Sequence, residues 1–208
     1  MSLELWIAFV AASAALLALP GPTVILITSY AMNQGRRTGL ATIPGVALGD
    51  FVAMTTSLLG AGAVLAASAT LFTALKLVGA AYLVWLGFKL WKSRPELGEI
   101  TSTGSSQSLG KMFWNAFIVT ALNPKGIVFF VAFIPQFIDP AEPAFIQFVI
   151  LEATFVTMAA INIALWVFLT DRFRAKFQNP RLLNSLNKTG ASFLMGAGVF
   201  TALVGRNS

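Results

Sequence analysis

Six apolar stretches, near residues 3–31, 40–66, 71–91, 112–137, 144–170 and 190–205, dominate the sequence. A bilayer core about 30 Å thick is crossed by roughly 20 helical residues, so each stretch but the last is long enough to cross. The chain is expected to be all-α: a polytopic membrane protein with six transmembrane helices in one domain, residues 1–208. The last stretch is short and contains glycine, which leaves five spans plus a peripheral segment as the alternative. With 57% hydrophobic and only 11% charged residues, the chain has too little polar surface for a soluble globule, and 208 residues leave no room for a soluble domain.

The absence of cysteine and histidine removes disulfides, thiolate or imidazole metal sites, Ser-His triads and Cys nucleophiles. No metal, no cofactor and no enzyme activity are therefore expected. A Ser57–Lys76 dyad is the hydrolase pattern that remains, and the depths of these residues on adjacent spans give no reason to expect contact. A net charge of +6 would suit nucleic acid only on a water-exposed basic face, so no nucleic-acid partner is expected.

Charge position orients the chain instead. Arg36 and Arg37 fall in the first loop, Lys89, Lys92, Arg94 and Lys111 border the third, and Arg172, Arg174, Lys176, Arg181 and Lys188 fill the fifth. The second and fourth loops carry none. Basic residues stay on the cytoplasmic side, which puts the odd loops inside and both termini outside a cytoplasmic (inner) membrane. Arg206 alone opposes this. Glu4, with no Lys or Arg ahead of the first stretch, departs from the basic start of a signal peptide, so the first stretch is expected to be a retained span.

The Ser/Thr/Gly-rich segment of about 93–110 reads as a cytoplasmic linker between repeat 1, about 1–92, and repeat 2, about 111–208. Ala18-Leu19-Pro20-Gly21-Pro22 aligns with Ala121-Leu122-Asn123-Pro124-Lys125, which places a break in helices 1 and 4. With three spans per half the second half enters from the opposite side, giving two inverted three-helix repeats of the kind used in alternating access. In the fifth loop Phe173, Phe177, Leu182, Leu183 and Leu186 alternate with basic residues as in an interfacial segment, and Pro180 is expected to interrupt any single helix there.

The breaks carry the chemistry. Pro20 and Pro22 cannot donate to the carbonyls of Leu16 and Ala18, and Gly21 between them favours a break over a bend. Irregular backbone in mid-membrane is tolerated only against protein or a wet cavity, and the positive end of the half-helix starting near Pro22 points there, where a carboxylate can dock. A plain proline kink is the bland alternative.

Asn123-Pro124-Lys125 lies about 20 Å into the fourth span, too deep for easy snorkelling. Lys125 either neutralises an acid, such as Asp50 or Glu152, meets a ligand carboxylate, or sits beside water. Asp50, about 16 Å along the second span and next to the Gly45-xxx-Gly49 pair, can pair Lys125, bind an ammonium group or take up a proton. Glu152, about 12 Å inside the outer end of the fifth span, reaches the same cavity or hangs from its rim. Lys76 is shallow enough to snorkel. Trp6, Trp85, Trp91 and Trp114 suit interfacial belts, and Gly60, Gly62, Gly87, Gly196 and Gly198 permit close helix packing or a homodimer contact.

Several of these motifs together resemble the LysE/RhtB family of amino-acid exporters, over nearly the whole chain. They are Leu19-Pro20-Gly21-Pro22, the stretch Lys76-Leu77-Val78-Gly79-Ala80-Ala81-Tyr82-Leu83-Val84-Trp85-Leu86-Gly87, Asn123-Pro124-Lys125, Phe133-Ile134-Pro135-Gln136-Phe137 and Leu186-Asn187-Lys188. The similarity is greatest to the homoserine and threonine efflux branch. It implies a six-helix membrane transporter in two inverted halves, exporting amino acids or derivatives such as homoserine, homoserine lactone or threonine by proton antiport. A small-molecule amino acid, a proton and the lipid bilayer are then its partners, and a passive channel or facilitator is the alternative. On this view the substrate carboxylate meets Lys125 and the helix start at Pro22, its ammonium approaches Asp50 or freed carbonyls, and the two halves rock.

Overall fold

The computed structural model describes residues 1–92, 108–139, 141–172 and 180–204, and all regular structure among them is helical. The helices are α1 (Leu3–Ala18), α2 (Pro22–Gln34), α3 (Arg36–Ala41), α4 (Ile43–Ala67), α5 (Ala69–Lys92), α6 (Leu109–Ala121), α7 (Pro124–Ala132), α8 (Ala144–Arg172) and α9 (Pro180–Val204). A 3₁₀ turn, Ile134–Phe137, ends the fourth span.

The segment Arg36–Val64 and helices α5 and α8 are each long and apolar enough to cross a membrane. The pairs α1/α2 and α6/α7 reach that length as broken spans, bent by 54° and 43°. In each pair a proline opens the second helix, where its missing N–H is not needed, so the break falls just before it. Polytopic membrane architecture with broken helices 1 and 4 is what the apolar pattern and the proline positions dictate.

Helix α9 departs from the expected boundaries. Pro180 begins it rather than interrupting it, so Leu182, Leu183 and Leu186 belong to the helix itself. Its apolar stretch is only Ala191–Phe200, yet it runs antiparallel to α5 along most of that span. The Lys188 ammonium lies 5.8 Å from the centre of the Trp91 ring. Further along, Gly87 meets Ala191 and Met195, and Gly198 meets Ala80 and Val84. Three helices and two broken pairs are thus long and apolar enough to cross, and α9, with its shorter apolar stretch, packs along one of them. Most of the predicted linker, residues 93–107, lies outside the described residues, as do Arg174, Lys176 and Arg206 and the aromatic positions Phe173 and Phe177. The first loop is largely the short helix α3, entered through Gly35 at φ 90°, a backbone conformation suited to glycine.

Helix contacts keep their pattern when the halves are exchanged. Helix α5 packs on α9, α4 on α8 and α2 on α6, while α4 lies against α6/α7 much as α8 lies against α1/α2. Glycines set how closely the seams approach. A methyl group on Gly45 would sit 2.5 Å from the Phe113 carbonyl oxygen, one on Gly49 2.9 Å from that of Phe117, and one on Gly87 2.7 Å from that of Ala191. Gly60, Gly62 and Gly196, which share the small-residue pattern, face open space in the monomer.

Two apolar clusters fill the interior. One is aromatic and includes Phe9, Phe129, Phe130, Phe133, Phe137 and Phe155; the other is mainly aliphatic, built from Val24, Ile27, Val46, Ile163, Trp166 and Val167. Overpacking a helix seam costs about 1–3 kcal/mol. Gly45→Val is therefore expected to lower the melting temperature of the detergent-purified protein clearly, and Gly60→Val to leave it almost unchanged. Equal melting of the two variants would contradict the seam assignment.

Candidate polar site at the helix breaks

The end of α1 determines what gathers around it. Pro20 brings no N–H, so the Leu16 carbonyl receives the Leu19 N–H at 3.3 Å, and the last turn still needs donors. They come from the other half of the chain. Lys125 Nζ donates to the carbonyl oxygens of Leu16 and Leu19, both at 3.1 Å, and Asn162 Nδ2 donates to that of Leu17 at 3.0 Å. A cation at a helix C-terminus also meets the negative end of the helix dipole.

Lys125 is held there by its own local motif. The Asn123 side chain accepts the Lys125 backbone N–H at 3.1 Å and caps α7, whose first residue is Pro124. In the first half Gly21 precedes α2 with no side-chain cap, and Pro22 is again the first residue. Gly21 is small for a reason: a methyl group there would sit 3.3 Å from Lys125 Nζ. The two breaks touch through Thr23 and Thr120, whose hydroxyl oxygens are 3.2 Å apart.

Gly21, Thr23, Asp50, Asn123, Lys125 and Asn162 line one cavity of about 40 Å³. Its walls include Leu16, Leu19, Phe155 and Ala159 from the aromatic cluster and Val24, Val46 and Ile163 from the aliphatic one, so both apolar clusters border it. Some 10–15 Å³ of such space is enough for a water molecule, so the pocket has the volume for a few waters and is too small for an amino acid.

Donors and acceptors remain available on its wall. An ammonium group has three N–H donors, and Lys125 uses two on α1. Two threonine hydroxyls sharing one hydrogen bond leave one O–H free, whichever donates. Asp50 and Lys125 attract each other through space but make no direct salt bridge, since the ammonium rests on carbonyls, and the Asp50 carboxylate accepts no hydrogen bond among the described residues. The wall thus offers a cation, a hydroxyl and an uncapped helix start beside a carboxylate.

Of the residues singled out from sequence, Pro20 and Pro22 form the first break and Pro124 opens the helix after the second. Gly21, Asn123, Lys125 and Asp50 share the cavity. Glu152 does not line it: its carboxylate accepts the Thr55 hydroxyl at 2.5 Å in a separate, largely apolar pocket between α4 and α8. Thr23, Thr120 and Asn162 went unnoticed. Thr23 and Thr120 flank the two breaks, and Asn162 is a lone amide in an apolar helix. Ser57 and Lys76 share no hydrogen bond among the described residues.

The family model described as LysE type translocator matches residues 14–205. The chain belongs to this family. A homoserine/homoserine lactone efflux protein of Salmonella typhimurium is 32% identical over 202 residues, covering 97% of this chain and 98% of the relative. An uncharacterized membrane protein of Vibrio cholerae is 34% identical with the same coverage, and one of Pseudomonas aeruginosa 31% identical over 87% of each chain. No solved structure matches. Both helix breaks and the whole cavity fall inside the region matched to the LysE-type translocators.

Lys125→Met removes the donor to the Leu16 and Leu19 carbonyls and is expected to destabilise the protein by roughly 1–3 kcal/mol, the cost of orphaning buried acceptors. Gly21→Ala crowds the ammonium while leaving the helices their good formers, so it is expected to lower transport more than melting temperature. Wild-type transport by Gly21→Ala would show that the close approach of Gly21 to Lys125 has no role.

Proposed function

We propose that this protein exports neutral amino acids or their derivatives, of the homoserine, homoserine lactone and threonine kind, from the cytoplasm by alternating access coupled to inward proton flow. The observation that carries this is the arrangement of opposite charges on one cavity wall: Lys125 keeps a donor free, and Asp50 lines the same space without a direct salt bridge to it. A zwitterion matches that wall. Its carboxylate would take the remaining Lys125 N–H, the free threonine hydroxyl and the start of α2, and its ammonium would take Asp50. The efflux protein of Salmonella typhimurium, similar over almost its whole length, supports the same substrate class.

The 40 Å³ cavity then belongs to a closed state, and substrate enters or leaves when one apolar cluster parts while the other holds. Asp50, or Glu152 nearer the opposite side of the membrane, takes up the coupling proton. On this reading the α2–α3 end of the molecule faces the cytoplasm and both termini lie outside the inner membrane, which the basic loops favour.

Cells preloaded with labelled homoserine, threonine, leucine, cysteine derivatives and basic amino acids provide the test. Gradient-dependent efflux of the small neutral substrates is expected, absent in Lys125→Ala and at least tenfold slower when the proton gradient is collapsed. Asp50→Asn is expected to lose accumulation against a gradient, and full gradient-driven export by that variant would exclude Asp50 as the proton carrier. Efflux indifferent to the gradient would identify a passive channel, and efflux equal to empty-vector cells for every substrate would overturn the exporter assignment.

A further inference from the structure

The cavity wall carries one more polar group than a bare zwitterion requires. Asn162, in the middle of α8, donates Nδ2 to the Leu17 carbonyl at 3.0 Å, which fixes the orientation of its amide. With the nitrogen committed, Oδ1 is an acceptor with two lone pairs. It receives no hydrogen bond among the described residues, it is not sealed away from accessible space, and Asn162 lines the cavity. On the α8 side of the cavity its lining neighbours Ala159 and Ile163 are apolar, so Oδ1 is the acceptor there with no protein donor.

We propose that Asn162 is a specificity-determining residue, its Oδ1 accepting the side-chain hydroxyl of a hydroxylated amino acid. The inference rests on the exporter assignment above and adds which substrates within the neutral class are preferred. Lys125, the threonine pair and the start of α2 are donors and suit a carboxylate. Asp50 carries the full negative charge and suits the ammonium. Asn162 is the neutral acceptor left over, and an O–H is the group it matches without a charge mismatch. A site that hydrogen-bonds a hydroxyl discriminates against the isostere lacking it, because its own polar group is then left unpaired. Threonine is thereby favoured over valine, and homoserine over norvaline.

Asn162 also supports α1 through Leu17, so the test has to separate recognition from support. Efflux of threonine, valine, homoserine and norvaline is measured for the parent and Asn162→Leu, each normalised to protein in the membrane. Asn162→Leu keeps the volume but loses both the acceptor and the donor to Leu17, so recognition is read from the substrate ratios and support from the absolute rates. The parent is expected to prefer each hydroxylated substrate by about tenfold, the worth of one well-placed hydrogen bond. Asn162→Leu is expected to bring both ratios to within about twofold of one while still exporting valine.

A uniform fall for all four substrates in Asn162→Leu, with the ratios intact, would reduce Asn162 to a support for α1 and overturn the proposal. Export by the parent without preference between isosteres would overturn it too, leaving the exporter assignment standing. A parent that exports none of the four overturns both.

Discussion

Everything at the centre of this protein depends on one requirement, that backbone carbonyls freed in mid-membrane find donors. Water satisfies such groups in a soluble protein, whereas in lipid the chain has to supply the partner itself. Pro20 creates the deficit at the end of α1, and Lys125 and Asn162 meet it from α7 and α8. The break in one half is thus completed by side chains from the other, and the contact that makes the fold tolerable also assembles the site. A ligand carboxylate that draws on the third Lys125 donor acts directly on the end of α1. Binding and helix geometry become linked without any intermediate wire.

On the proposed alternating-access reading, the glycine seams constrain where movement can fall. The close α5–α9 and α4–α6 contacts both cross between the two halves of the sequence, and carbonyl oxygens stand where a methyl group on Gly45, Gly49 or Gly87 would go. Rigid rocking of the halves would have to unlock these seams. The broken pairs are less constrained, since α1/α2 and α6/α7 already lack continuous hydrogen bonding at 54° and 43° bends. Swinging of the half-helices about the breaks, with the α4–α6 and α5–α9 seams held, separates one apolar cluster at a time at lower cost than parting the halves. Packed apolar clusters favour this two-state behaviour, because they either interlock or separate.

The parts of the structure legible in the sequence are those set by local composition. Long apolar stretches give spans because no other structure pairs their backbone in lipid, and Pro20, Pro22 and Pro124 mark the breaks because a proline acts on its own preceding turn. What was illegible depends on partners distant along the chain. Lys125 looked equally able to pair with Asp50, Glu152 or a ligand, and only the fold brings it to the carbonyls of Leu16 and Leu19. Gly60 and Gly87 look alike in sequence, yet one faces open space and the other a carbonyl. Pro180 is ambiguous for a similar reason, since the same residue that interrupts a helix also starts one. Asn162 carried a signal, a lone amide in an apolar helix, whose meaning required the Leu17 carbonyl opposite.

The absence of an ion pair between Lys125 and Asp50 follows from the same requirement and bears on how the site works. Had the two charges closed on one another, each would be satisfied, and a zwitterion would have to break the pair before binding. Anchoring the ammonium on two carbonyls and the end of a helix dipole keeps it at a fixed position instead. Asp50 lines the same pocket, whose volume of about 40 Å³ is on the scale of a few water molecules. On the proposed reading the scaffold fixes the ammonium before a substrate arrives, while room for the substrate itself has to come from the parting of an apolar cluster.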